Sequence, residues 1–144
     1  MVRFKTRYLV FQIFQENQLT SDLTDIIRSK WTESSVRKSI SKTSIVLTPL
    51  DLLNIIKEHV HLNFGDWGYG LVSASLSVKY YSPVTCIGIL RISRQHYRLV
   101  WAALTLINTI HSQHVIIRVL QVNGTIKSAE TYIIQYDQNL LLHR

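Results

Sequence analysis

The sequence predicts an α+β domain, and three observations carry that reading. From Gly70 to Tyr81, Val72, Ala74, Leu76, Val78 and Tyr80 alternate with Ser73, Ser75, Ser77 and Lys79, the period of a half-buried strand. After Thr48-Pro49, Leu52, Leu53, Ile56 and Val60 recur at helical spacing. From Arg94 to about His111 the chain is apolar on nearly every side, which predicts a helix covered from both sides.

The first strand spans Arg3 to Phe14 and is rich in Phe, Tyr, Val and Ile. Leu9, Phe11 and Ile13 share one face, with Val10 and Phe14 on the other, so it needs cover on both sides. Residues 15–47 read as a basic, Ser-rich insertion. Within it, Leu23, Ile26, Ile27 and Trp31 suggest a short helix over Ser21 to Trp31, followed by a mobile stretch from Thr32 to Ser44.

Thr48 is the expected N-cap of the next helix, with Pro49 in its first turn, Asp51 at the positive end of its dipole and Gly65 as terminator. The strand from Gly70 to Tyr81 turns at Ser82-Pro83 into another strand, Thr85 to Ser93. The helix from Arg94 comes next, with Tyr97, Val100, Trp101, Leu104 and Ile107 on one stripe. His114 to Val122 forms the fourth strand, broken by Asn123-Gly124. Ile126, Ala129, Ile133, Tyr136 and Leu140 predict a final helix; a strand from Thr131 to Tyr136 is the competing reading.

The order β-α-β-β-α-β plus a terminal helix is the ferredoxin-like arrangement, an antiparallel four-stranded sheet with two helices on one face. The third helix is expected to cover part of the other face. Residues 1–144 read as a single domain.

Composition sets the class of partner. The chain has 47% apolar and 17% charged residues, a folded composition, and a formal net charge of +7. That charge favours nucleic acid or another anionic surface. No acid stands between Asp66 and Glu130, whereas Lys79, Arg91, Arg94, Arg98, Arg118 and Lys127 all do. Cys86 is the only cysteine, which excludes an intrachain disulfide and fits a reducing compartment. The basic, alternating start is not the pattern of a signal peptide, and no apolar run reaches the ~20 residues of a membrane span.

The expected phosphate contacts begin with Arg3, Lys5 and Arg7, which alternation would place on one strand face, with no acid before Glu16. Three such cations repel one another unless an anion lies across them, and a phosphate backbone fits. Arg91, Arg94 and Arg98 are the second group; Arg94 and Arg98 are one helical turn apart at a helix start. Lys127 follows Gly124 where the last helix opens. Lys30, Arg37, Lys38 and Lys42 add loose contacts. Phe4 and Tyr8 are candidates to stack a base, against a competing assignment to the core. Leu99, Trp101, Leu106 and Ile110 are the expected partner-protein interface.

Enzymatic constellations are missing. His59 and His61 are two apart, so a helix sends them to different sides and a metal site is not expected. Cys86 reads as a buried mid-strand residue. No Gly-x-Ser-x-Gly turn or Gly-rich phosphate loop occurs.

Several stretches resemble the small Pop-class ("processing of precursors") protein subunits of ribonuclease P and ribonuclease MRP. These are Met1-Val-Arg-Phe-Lys5 with Arg7-Tyr8-Leu9; Tyr81 with Thr85, Ile87 and Leu90-Arg91; Leu99-Val-Trp101 with Ala103-Leu104 and Ile107; Val122 with Gly124-Thr-Ile-Lys127; and Ile134-Gln-Tyr136. Residues 32–44 fall outside the resemblance and look like a fungal-type insertion. Cys86 stands where the family often has Gly, and the acidic C-terminal tail common in eukaryotic members has no counterpart before Arg144.

The resemblance implies a noncatalytic subunit that braces a catalytic RNA and docks onto sister subunits. The RNA would cleave the 5′ leader from precursor tRNA using Mg²⁺ bound to the RNA, and in the MRP particle precursor rRNA. It implies a nuclear and nucleolar location, with no cofactor on this chain. Two other readings stay open: a protein–protein adaptor without RNA contact and, more distantly, a small stand-alone enzyme.

Overall fold

The computed structural model describes residues 3–15 and 45–142. The expected helix from Ser21 to Trp31, the Ser-rich stretch from Thr32 to Ser44, and Lys30, Arg37, Lys38 and Lys42 lie outside the described residues.

The elements are β1 (Thr6–Gln15), α1 (Pro49–Val72), β2 (Ser77–Ser82), β3 (Ile87–Ser93), α2 (Tyr97–Leu106), β4 (Thr109–Ile110), β5 (Gln113–Asn123) and α3 (Ile126–Leu142). The sheet has five strands in the order β2-β3-β1-β5-β4, all neighbours antiparallel. The expected four-stranded sheet is therefore corrected by the short strand β4. β1 is central, paired with β3 on one side and β5 on the other. Leu9, Val10 and Phe11 are fully buried, as a strand covered on both faces requires.

α1 begins as its sequence predicts. The Thr48 hydroxyl accepts the Asp51 amide at 3.1 Å while the Asp51 carboxylate accepts the Thr48 amide at 3.3 Å, a reciprocal capping box. The Thr48 hydroxyl also donates to the Asp51 carboxylate at 2.6 Å, and this bond first, then the one from the Thr48 amide, holds the Asp51 carboxyl below its ordinary range. Gly65 does interrupt the helix, at φ 67° and ψ −163°, backbone that is essentially glycine-only. The helix then resumes and runs to Val72.

This overturns the strand start at Gly70, because β2 begins only at Ser77. Val72 and Leu76 are both buried, and a spacing of four fits a helical turn as well as a strand. The Leu76 amide donates to the Val72 carbonyl at 2.9 Å. A bulge between Val78 and Tyr80 then shifts the register. Val78 pairs with Leu90, Tyr80 with Ile89 and Tyr81 with Gly88. Tyr81, not Tyr80, therefore enters the core, where its ring stacks on Phe11.

Cys86 precedes β3 and is not mid-strand. Its φ of 57° is left-handed backbone, the kind of position glycine fills most easily. α2 is shorter than expected at both ends. Arg94 to His96 form a turn, and at Ile107 the chain becomes extended. His111 and Ser112 both have positive φ and join β4 to β5 as a two-residue hairpin turn. The last element is helical, which decides against the strand from Thr131 to Tyr136.

Two cores result. Leu9, Phe11, Leu90 and Ile92 pack with Leu52, Ile56 and Val60 of α1 and with Val100 and Leu104 of α2. Across the sheet, Val10, Ile87 and Ile89 pack with Ala129 and Ile133 of α3. Ile45 and Leu47, at the end of the predicted insertion, are buried in the first core.

Candidate nucleic-acid interface

β1 runs antiparallel to both β3 and β5, so its start lies beside their ends. That topology brings together cations far apart in sequence. Thr6 pairs with Ser93, Arg7 with Ile92, and Tyr8 with both Arg91 and Asn123. The Arg94 amide donates to the Lys5 carbonyl at 2.9 Å. Arg7 Nη1 donates to the Thr6 carbonyl at 2.9 Å and lies near Gly124, where a Cβ would be 3.8 Å from it. Lys127 follows in the first turn of α3, and Arg98 in the first turn of α2. Arg3, Lys5, Arg7, Arg91, Arg94, Arg98 and Lys127 therefore gather at one end of the sheet.

Two local expectations change. β1 begins at Thr6, so Arg7 alone of the N-terminal cations is in the strand; Arg3 and Lys5 lie in the exposed segment before it. Arg94 precedes α2, so it is not one helical turn from Arg98; its neighbour is Lys5. Arg98 instead rests over the Tyr97 ring, 5.9 Å from its centroid, and its Nε donates to the Tyr97 hydroxyl at 3.5 Å. That bond raises the Arg98 pKa further, so it stays charged.

Among the described residues the only contact within salt-bridge distance between a basic and an acidic side chain is His61 Nε2 with Asp66 Oδ1, 2.7 Å apart on the surface of α1. None of the gathered cations has a carboxylate partner there. Cations left in water by their own fold are available to an external polyanion.

The partner-interface residues divide. Trp101 is 42% and Leu106 55% exposed, on the outer side of α2. Leu99 is half-buried against the first core. Ile110 is 2% exposed and sits in β4, so its expected place on an outer helical surface is corrected: the helix ends at Leu106 and the hairpin folds Ile110 inward. The aromatics divide as well. Tyr8 packs beside the second core, whereas Phe4 is 68% exposed and belongs to neither.

Sequence reasoning missed Ser75, Ser93, Gln95 and His96, which line a cavity of about 430 Å³ beside Phe4 and Arg91. No periodicity marks them; they meet only because β2 pairs with β3 beside the end of α1. Among the described residues no cluster of three or more His, Cys, Asp or Glu suited to a metal occurs, and no helix is long and apolar enough to cross a membrane.

Comparison with known proteins gives the family. The model of the Rpp14/Pop5 family matches residues 7–134. The Schizosaccharomyces pombe ribonuclease P/MRP protein subunit POP5 is 44% identical over 139 residues, covering 96% of this chain and 90% of the relative. The Saccharomyces cerevisiae subunit of that name is 31% identical, covering 98% of this chain and 80% of the relative. The human one is also 31% identical, covering 99% and 76%. In fold, the chain is similar to one in a cryo-EM structure of yeast ribonuclease MRP, with a TM-score of 0.57, 8% identity and 96% of each chain covered. With its family model matched across most of its length, this chain belongs to the Rpp14/Pop5 family.

Proposed function

We propose that this chain is a noncatalytic protein subunit of ribonuclease P and ribonuclease MRP that binds and stabilises their catalytic RNA. The observation that carries the reading is the cation-bearing end of the sheet, rich in Arg and Lys and without carboxylate partners among the described residues. The chain itself performs no cleavage. It neutralises phosphates that folded RNA brings close together, and Mg²⁺ is held by the RNA. The particle removes the 5′ leader from precursor tRNA and, as MRP, processes precursor rRNA, in the nucleus and nucleolus. The strands β2-β3-β1-β5 with α1 and α2 make up a ferredoxin-like core, to which β4 and α3 are additions.

Joint replacement of Arg3, Lys5 and Arg7 by Glu tests this. RNA affinity should fall at least ten-fold and the slope of log affinity against log salt should drop by about one per lost phosphate contact, while circular dichroism stays unchanged. Full RNA retention by the triple variant would remove this end of the sheet from the interface.

A second reading is a protein adaptor in a larger assembly. Exposed Trp101 and Leu106 on α2, and Leu62 and Trp67 on α1, favour it. It predicts partner complexes that survive complete nuclease digestion.

A further inference from the structure

At the cation-bearing end, the turn between α1 and β2 closes one side of the 430 Å³ cavity. That volume falls in the range of small-ligand sites, roughly 300–1,000 Å³. Phe4, Leu71 and Leu76 supply apolar walls, whereas Arg91, Gln95 and His96 supply polar ones. Ser75 and Ser93 also line it, and their hydroxyls are buried with no hydrogen-bond partner among the described residues. Ser93 is only 6% exposed. Buried hydroxyls are ordinarily paired, so two unpaired ones beside one cavity mark where a polar edge is received.

The order of residues around the mouth narrows the ligand. Phe4 is followed by Lys5, and Gln95 is preceded by Arg94; the two segments are tied by the bond from the Arg94 amide to the Lys5 carbonyl. On each segment a cavity-lining side chain therefore adjoins a cation outside the cavity. A flat ring with a polar edge, carried on a phosphate chain, matches that alternation. A bare phosphate would leave Phe4 unused, and a base inside a duplex could not enter.

Building on the RNA-binding reading above, we propose that this cavity receives one unpaired RNA base. The base stacks on Phe4 and meets Arg91, Gln95 and the Ser93 hydroxyl at its edge, while Lys5 and Arg94 hold the flanking phosphates. Phe4 thus contributes through the stacking that is general to single-stranded nucleic-acid sites.

The test uses the full chain with the RNA that co-purifies with it, and the variants Phe4→Ala and Gln95→Ala, both at exposed positions. Base-edge probing with dimethyl sulfate and carbodiimide should show one unpaired nucleotide protected by the wild type and exposed by either variant. Phe4→Ala should weaken binding about ten-fold with an unchanged salt slope, unlike the N-terminal charge variants. Bound RNA with no nucleotide that responds to either variant would overturn the base site and leave RNA binding standing. Wild-type protein that binds no RNA would remove both readings. Free AMP or UMP bound as tightly as the RNA would assign the cavity to a soluble nucleotide and overturn the proposal.

Discussion

On one face of the sheet, Leu9, Phe11 and Ile13 of β1 meet two helices, and their layer is sealed by residues from 45 to 117. On the other, Val10, Ile87 and Ile89 meet a single helix, α3, through Ala129 and Ile133. Beyond α3 that second face stays open: Ile116 and Tyr80 are exposed on it, Arg118 reaches solvent, and Phe14 is half-covered. Tyr136 bridges the boundary, its hydroxyl donating to Gln12 Oε1 at 3.1 Å. The α1/α2 face carries the fold's stability, whereas the α3 face divides its surface between packing and exposure. A sheet can leave part of one face uncovered only when the other supplies most of the burial.

The sharpest way to break that comparison is Phe11→Ala. Phe11 fills the space above Gly88, where a Cβ would approach its ring to 2.5 Å, and it stacks on Tyr81. Truncation should cost about 4 kcal/mol, read by urea or thermal unfolding. Ile133→Ala, the corresponding cut on the α3 face, should cost about 2 kcal/mol because Ile133 lies near the edge of a smaller cluster. Equal losses would mean that both faces carry the fold alike.

The smallest effect is alkaline. Burial raises the Tyr81 hydroxyl well above its ordinary 10.0, with neighbouring Cys86 adding to the shift. Burial, then Tyr132, also raises Tyr136, with Arg118 opposing. A raised folded pKa means stability is intact below pH 10 and declines as pH rises past it toward the folded value. Tyr81→Phe should therefore flatten the alkaline limb of a stability–pH curve more than Tyr136→Phe does. The reverse ranking would place the deeper phenol on the α3 face.

What could be read from the chain, and what could not, follows the same physics. β1 and β5 were legible from their runs of β-branched and aromatic residues, and α3 from the three- and four-residue spacing of Ile126, Ala129, Ile133, Tyr136 and Leu140, although a strand over Thr131 to Tyr136 competed. The start of α1 was legible because capping is a local exchange of hydrogen bonds. The beginning of β2 was not, since Val72 and Leu76 satisfy both periods. The bulge that sends Tyr81 inward depends on the partner strand β3. β4 was missed because its hairpin turn uses His111 and Ser112 in left-handed backbone, without the usual Asn-Gly signal. Phe4 was weighed as a core residue from its type, yet β1 starts two residues later.

By itself the sequence determined the α+β class, most of the apolar periodicities and which cations lacked nearby acids, because all of these are properties of composition and local spacing. Tertiary structure decided that Arg3, Lys5, Arg7, Arg91, Arg94, Arg98 and Lys127 share one end of the sheet, since antiparallel pairing sets the start of β1 beside the ends of β3 and β5. It also decided that Ile110 is core, Trp101 is surface and Ser93 lines a cavity, because burial depends on which elements pack together.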